Sequence, residues 1–427
     1  MVYALRSFVG LCLVVLLGLP IHATELELGV LIQEALEKNP NLSVLRARLT
    51  AFEAQVPQAG ALDDPVLKFE ASNVPLNGFN LSSTPMSGNQ FMLSQNFPLP
   101  GKRSAKERSA KHAVGIVEWQ LRDREIAIVN AVKQPFLTLS YVVRAIATTQ
   151  KNRVLLQDLI RIARKKYEVG KGLQQDVLKA QVALAALDKQ LIGLRAEKKL
   201  AEARLNLVLN RAPQSTLGAP PDTIALSSDP LSVVQLQNLA NDSRASLKAL
   251  DQSILMWQAQ AELARKNFWP DIAVNLGYRQ RMFMANDPVK GSDFLSLGIG
   301  VQVPLFRGRK QRQKVIEAQA NMQRVEAQKV SDRQQIHYEI QRLMVEADQH
   351  RESAELFVSS ILPQAKQSLS SALSGYQVDK VDFLTLLDNY MTLLDFEIEY
   401  YHHVIAHEKR RADIEAVVGV AWRARGE

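Results

Sequence analysis

The sequence predicts a mainly α chain with a membrane β-barrel part, in which four short strands and long antiparallel helices come from two copies of one internal repeat. Three observations carry that expectation. Segments of strand periodicity occur in pairs, one pair in each half of the chain; a very long helical tract follows each pair; and aromatic residues gather around the strands. The segment FLSLGIGVQVPL shows the first most clearly. Leu295, Leu297, Ile299, Val301 and Val303 alternate with Ser296, Gly298, Gly300 and Gln302, the period of a strand with one apolar and one small or polar face.

Residues 1–23 read as a secretory signal peptide: Arg6 precedes an apolar run from Phe8 to Pro20, and the small Ala23 suits a cleavage site. A run of about a dozen apolar residues is too short to cross a bilayer. Cleavage removes Cys12, the only cysteine, so residues 24–427 carry neither thiol nor disulfide. An exported chain of this kind is held by packing, metal or assembly. The full chain has a net charge of +8 and the signal contributes only Arg6 to it. The remainder is mildly basic, with both signs mixed along helices. Export and the lack of an aromatic-basic surface motif argue against nucleic acid as a partner. No later segment holds 18 consecutive apolar residues, so no helical membrane span is expected.

The chain then repeats itself. DDPVLKFEAS (Asp63 to Ser72) is echoed by FWPDIAVNLG (Phe268 to Gly277), QNFPLPGKRSAK by VQVPLFRGRKQR with Pro98 against Pro304, and YEVGKGLQQDVLKAQ (Tyr167 to Gln181) by YQVDKVDFLTLLDNY (Tyr376 to Tyr390). Repeat 1 covers about 24–220 and repeat 2 about 221–427, a duplication rather than a short-period solenoid. In each, short helices precede strand, loop, strand, a very long helix, a tight turn and a second long helix.

Apolar residues step by three and four through the helical tracts. One seam runs Val177, Ala180, Leu184, Leu187, Leu191, Leu194, Lys198, Ala201, Leu205, Val208; a second uses Ile336, Ile340, Leu343, Ala347, His350, Ala354, Phe357, Ile361; a third uses Leu384, Leu387, Met391, Leu394, Ile398, Tyr401, Ile405. Such seams bury against neighbouring helices, and a soluble bundle explains them equally well. Length separates the readings: Gly308 to Tyr376 would reach roughly 100 Å as a helix, far beyond a compact core. Pro135 and Pro363 should bend these rods, because each removes a backbone donor.

The strands are expected near 64–73, 89–98, 270–283 and 293–304. Ten of the 27 aromatic residues fall between 69 and 97 or between 268 and 306, which fits the girdles of a membrane barrel and also fits a soluble sandwich core. Four strands cannot close a barrel, and an open edge is forbidden in lipid because its N–H and C=O groups go unpaired. If the strands span, several chains must share one barrel. The loops Val74–Gly88 and Ala285–Ser292 would then face outward, and Ser296, Gly298, Gly300 and Gln302 would line a water-filled lumen.

Across essentially the whole mature chain these residues resemble the TolC-like outer-membrane efflux factors. The duplicated strand-strand-long-helix order carries the resemblance, as does the turn VGKGLQQDVLKAQ with its copy VDKVDFLTLLDN. QNFPLPGKR and the block GYRQR…GSDFLSLGIGVQVPL are similar to the heavy-metal branch, of the CzcC and CusC type. The resemblance implies a homotrimer with a shared 12-stranded barrel in outer-membrane lipid and a periplasmic α-helical tunnel. It further implies an exit duct served by a periplasmic membrane-fusion adaptor and an inner-membrane RND-type pump. Lipid-attached members carry an N-terminal cysteine that this chain lacks after cleavage.

The candidate functional residues follow from that frame. Gly170 and Gly172 sit where a helix must reverse, and glycine takes the left-handed conformation freely. By resemblance this end is the adaptor-docking tip, with Val169, Leu173, Val378 and Val381 as apolar contacts; the alternative is that they staple their own hairpins. Asp379 and Lys380 replace the glycines in the second turn, so unequal docking is expected. Asp388 matches a position in the lumenal aspartate ring of TolC, and Asp176 is its counterpart in repeat 1; carboxylates ringed at a narrow end attract cations. The neighbouring family aspartate is Thr385 here. Glu399, His403 and His407 recur every four residues with metal-capable groups, although a solvated helix face explains them more simply. Met86, Met92, Met282 and Met284 invite a soft-metal reading, against which stands methionine's use as packing filler.

No cysteine nucleophile, G-x-S-x-G, H-E-x-x-H or phosphate-cradling loop occurs, so neither an enzyme nor a cofactor is expected. The functional expectation is a passive efflux duct, for heavy-metal cations in preference to drugs or secreted protein. The competing expectation from another class is a soluble periplasmic coiled-coil scaffold.

Overall fold

Helices α1 (Leu28–Lys38) and α2 (Pro40–Gly60) lead into strands β1 (Val66–Ser72) and β2 (Gly88–Phe97), then α3 (Lys102–Glu168) and α4 (Gln174–Val208). The same order recurs in α5 (Val233–Ser243), α6 (Ala245–Lys266), β3 (Asp271–Gln280), β4 (Phe294–Gln302), α7 (Gln311–Leu356), a π-helical turn (Phe357–Ile361), α8 (Leu362–Gln377) and α9 (Phe383–Val418). The computed structural model describes residues 26–76, 78–81, 84–227, 231–283, 285 and 287–420. The signal segment 1–23, with Cys12, and Met284 lie outside the described residues.

Local chemistry sets the helix starts. The Asn39 side chain accepts from the Asn41 N–H at 3.0 Å, with Pro40 in the first turn of α2. Ser232 and Gln235 cap α5 reciprocally, and Asp382 caps α9 by accepting from the Thr385 N–H at 2.8 Å. Each cap satisfies a helix N–H that has no partner within the helix. Pro135 does not interrupt α3, which runs unbroken for 67 residues, about 100 Å at 1.5 Å per residue. Pro363 acts differently. The five residues Phe357–Ile361 just before it widen into a π-turn, so α7, the turn and α8 form one rod that changes hydrogen-bond register.

The four strands form one antiparallel sheet in the order β1-β2-β3-β4. Its middle ladder joins the two halves of the chain, pairing Phe91 with Tyr278 and Phe97 with Ile272. At the helix end of the sheet, buried Lys102 donates to Asp271 Oδ1 and to the Trp269 carbonyl, both at 2.8 Å, while the Leu99 N–H donates to the same carboxylate at 2.9 Å. One carboxylate thereby fixes the first turn of α3 against the first residue of β3. At the other end of β2, a Cβ on Gly88 would meet the Gln280 carbonyl oxygen at 2.5 Å, so only glycine permits that approach.

The helices bury three main clusters. Leu31, Ala35 and Leu42 pack with Ile128, Val132, Phe136 and Leu205; the hairpin ends pack Leu156, Ile160 and Val177 with Tyr376, Phe383 and Leu386; Leu236 and Ala240 pack with Ile340, Leu343 and Ile414. By length and composition α3 alone among the described helices could cross a membrane. Its apolar middle instead lies in the first cluster, covered by α1, α4 and α9. The seam in α4 buries as its spacing predicts. In α9 Leu384 is exposed while Phe383 and Leu386 are buried, because the start of α9 turns toward the Tyr376 ring, 5.7 Å from that of Phe383.

Candidate functional site: the sheet, the stalk and its turns

Pairing in the sheet sorts its residues by face. Leu67 and Phe69 of β1, Phe91 and Leu93 of β2, Ile272, Val274 and Leu276 of β3, and Leu295, Leu297, Ile299 and Val301 of β4 share one face. No described residue covers it: Leu295, Leu297 and Ile299 are 74%, 73% and 72% exposed. A contiguous apolar surface of this kind marks contact with lipid or protein. Exposed rings stand at both ends of the strands, Trp269 and Phe306 toward the helices and Phe79 and Phe283 toward the loops, as interfacial girdles do.

The opposite face is polar. Ser296, Gly298, Gly300 and Gln302 lie across from Gly277, Asn275, Ala273 and Asp271. Ser94 donates to Asn275 Oδ1 at 2.6 Å, Arg279 to Gln90 Oε1 at 2.9 Å and Ser296 to the Gly277 carbonyl at 3.3 Å. A Cβ on Gly298 or Gly300 would make only ordinary contacts, so the chain's own packing does not demand glycine there. The effect of those glycines is to keep this face shallow. Among the described residues, both outer strands, β1 and β4, have one unpaired edge.

The turns lie at the far end of the helices. Gly170 has φ +71° and Asp379, its counterpart in the second half, has φ +60°. Gly172 corrects the sequence expectation, because its φ is not positive. A Cβ there would lie 3.1 Å from the Tyr167 nitrogen and 3.2 Å from Lys166 Cβ, so close approach and not handedness explains the residue. Val169, Leu173 and Val378 are 69%, 60% and 62% exposed. Val381 is partly buried and fills the space above Gly375, where a Cβ would lie 2.5 Å from Val381 Cγ2. It therefore staples its own hairpin, whereas the other three leave their side chains open.

Lys166 ties the two turns together, a link that the sequence reading missed. Its ammonium donates to the Tyr376 carbonyl at 2.8 Å, pairs with the Asp379 carboxylate, and stands 4.2 Å from the centre of the Tyr376 ring. The hydrogen bond from Lys166 holds the Asp379 carboxyl below its usual range. The signal was available only as a lysine one turn before a helix reversal, with no indication that the partner lay about 210 residues later.

Among the gate candidates, Asp388 is exposed, while Asp176 is half-buried and accepts from the Leu173 N–H at 3.4 Å, a capping contact. Thr385 donates its hydroxyl to Asp382. The helical face Glu399, His403, His407 does not converge. His407 is fully buried, with Nδ1 2.9 Å from the Ala347 carbonyl and Nε2 3.0 Å from that of Ser227, so both nitrogens are engaged. His403 turns toward His350 of α7, with their Nδ1 atoms 3.0 Å apart. Met86 and Met282 are exposed at the loop end of the sheet.

Comparison with known proteins accords with this geometry. A family profile described as Outer membrane efflux protein matches residues 31–211 and 236–400. The cobalt-zinc-cadmium resistance protein CzcC of Cupriavidus metallidurans is 22% identical over 382 residues, covering 88% of this chain and 86% of that protein. Among solved structures, the outer-membrane channel OprN superposes with a TM-score of 0.77 at 18% identity, over 93% of this chain and 90% of that one. CusC, solved in a study of its folding and transmembrane channel formation, gives 0.77 at 16% identity over 93% of both chains. With a four-stranded sheet at one end, helical rods at the other and the profile matching most of its length, the chain belongs to the Outer membrane efflux protein family.

Proposed function

We propose that three copies of this chain complete a 12-stranded barrel in the outer membrane and continue as a helical tunnel through the periplasm. The tunnel receives substrate from an inner-membrane RND-type pump through a periplasmic adaptor. One observation carries the reading: an uncovered apolar sheet face whose two edges have unpaired backbone groups. In lipid those groups must be satisfied, and pairing β1 of one copy with β4 of the next satisfies them by closing a ring. The alternative of a soluble scaffold leaves Leu295, Leu297 and Ile299 in water.

In this reading the duct is passive: Ser296, Gly298, Gly300 and Gln302 of its polar face are small or uncharged. We assign its cargo to heavy-metal cations, supported by the name of the CzcC relative and by the sequence blocks of the same branch. Adaptor docking is assigned to Val169, Gly170, Gly172, Leu173, Val378 and Asp379, with Val381 shaping the second turn. Asp388 is assigned to the lumenal gate, with Asp176 beside the first turn.

Cysteine pairs placed on the β1 and β4 edges test the ring. Cys12 is the only native cysteine, so Leu67→Cys combined with substitutions along 295–301 should yield disulfide-linked trimers in detergent extracts. Monomer alone in the periplasmic wash contradicts the ring. Loss of tolerance to cobalt, zinc or cadmium on deletion is the outcome expected for the cargo, and loss of drug tolerance alone reassigns the duct to drug efflux.

A further inference from the structure

The histidines of α7 and α9 form a cluster that conduction through a duct does not use. His350 and His403 hold their Nδ1 atoms 3.0 Å apart. The exposed His402 ring lies 6.1 Å from that of His350 and 5.6 Å from that of His403. Phe357, the first residue of the π-turn, packs its ring 5.7 Å from His403. π-turns inside long helices recur at functional positions, and this one stations an apolar wall beside the pair. A cavity of about 280 Å³ opens alongside, bordered by Tyr141, His350, His402 and Arg410.

We propose that His350 and His403, joined by His402 turned inward, bind one late first-row divalent cation of the zinc, copper, nickel and cobalt class. At metal–nitrogen distances of about 2.0–2.1 Å, nitrogens 3.0 Å apart subtend roughly 90–100° at the metal, within the range of such ions. The proton held between the two Nδ1 atoms is released to water as the metal takes its place. Lys409 and Arg410 also border the cavity; Glu346 and Asp413 engage Arg410 at 2.8 Å and 3.1 Å, and Glu399 lies one turn before His403. Among the described residues no three His, Cys, Asp or Glu side chains already converge, so water and the rotated His402 complete the shell. The site stands on this geometry and not on the cargo assignment.

Zinc titration of the purified full chain in detergent, followed by calorimetry, tests it. One zinc per chain is expected, weakened by roughly tenfold or more in His350→Gln and in His403→Gln, at least the loss that follows removal of an outer-shell partner. His112→Gln, on a different helix contact, should leave binding unchanged. Zinc should also shield His350 and His403 of the unaltered chain from diethyl pyrocarbonate, read by mass spectrometry, which requires no variant to fold. Absence of zinc binding, or binding and shielding indifferent to this pair, overturns the site. Metal tolerance in cells is a separate readout, so the cargo assignment can fail while the site stands.

Discussion

Single side chains fix the joints of this molecule. Asp271 neutralises buried Lys102 where helix meets sheet. Asp271→Ala should therefore lower unfolding stability by about 3–5 kcal/mol, because it leaves an ammonium buried without its partner; denaturant titration measures this. Tyr390 is buried and donates to Asn152 of α3, so Tyr390→Phe should cost about 1 kcal/mol in the same assay. The pair His350 and His403 predicts a pH dependence. Their folded pKa values lie below the ordinary imidazole value, so as pH falls through that value, about 6.5, the unfolded chain takes up protons first. Stability should fall from neutral pH into that window and level off once the folded histidines also protonate. Melting curves across pH 7.5 to 5 should show this, with a smaller slope in His350→Gln. Residues of this kind were the least legible in the sequence. Lys166, Lys102 and His350 look like ordinary helix residues until the fold supplies their partners.

At the level of elements the sequence was far more readable, since period and length are local properties. The alternation at 295–303 and its three companions foretold the strands, and the three-four spacing foretold which face of α4 is buried. Leu384 shows where this fails: seam spacing alone does not say which of two neighbours a helix start will face. The turns show the same limit. Glycine suggested two left-handed positions in the first turn, yet the second left-handed residue is Asp379, tolerated because aspartate visits that region more readily than most residues. Gly170→Ala should cost about 1 kcal/mol through backbone strain alone, since nothing lies within 4 Å of the added methyl. Gly88→Ala should be worse despite being the same change, because its methyl meets backbone. Amide exchange along β1–β3 should then rise for Gly88→Ala and stay unaltered for Gly170→Ala.

For the whole molecule, the proposed ring rests on features of one chain that its sequence already carried. Unpaired edges and an uncovered apolar face are sequence-level consequences of having four alternating strands. Which faces the helical stalk turns inward was not legible, because the seams of α4, α7 and α9 describe contacts within one copy equally well. An apolar-face charge should expose the difference between lipid and water. Ile299→Lys should be tolerated by a soluble sheet, whereas at mid-depth in lipid it should cost about 2–4 kcal/mol and lower the yield of detergent-extracted trimer.

The ladder between β2 and β3 has a consequence in time. Phe97 finds Ile272 only after the intervening helices have been exported, and loop closure of that length makes such pairing slow relative to hairpins. During translocation, the first hairpin therefore waits with its greasy side bare.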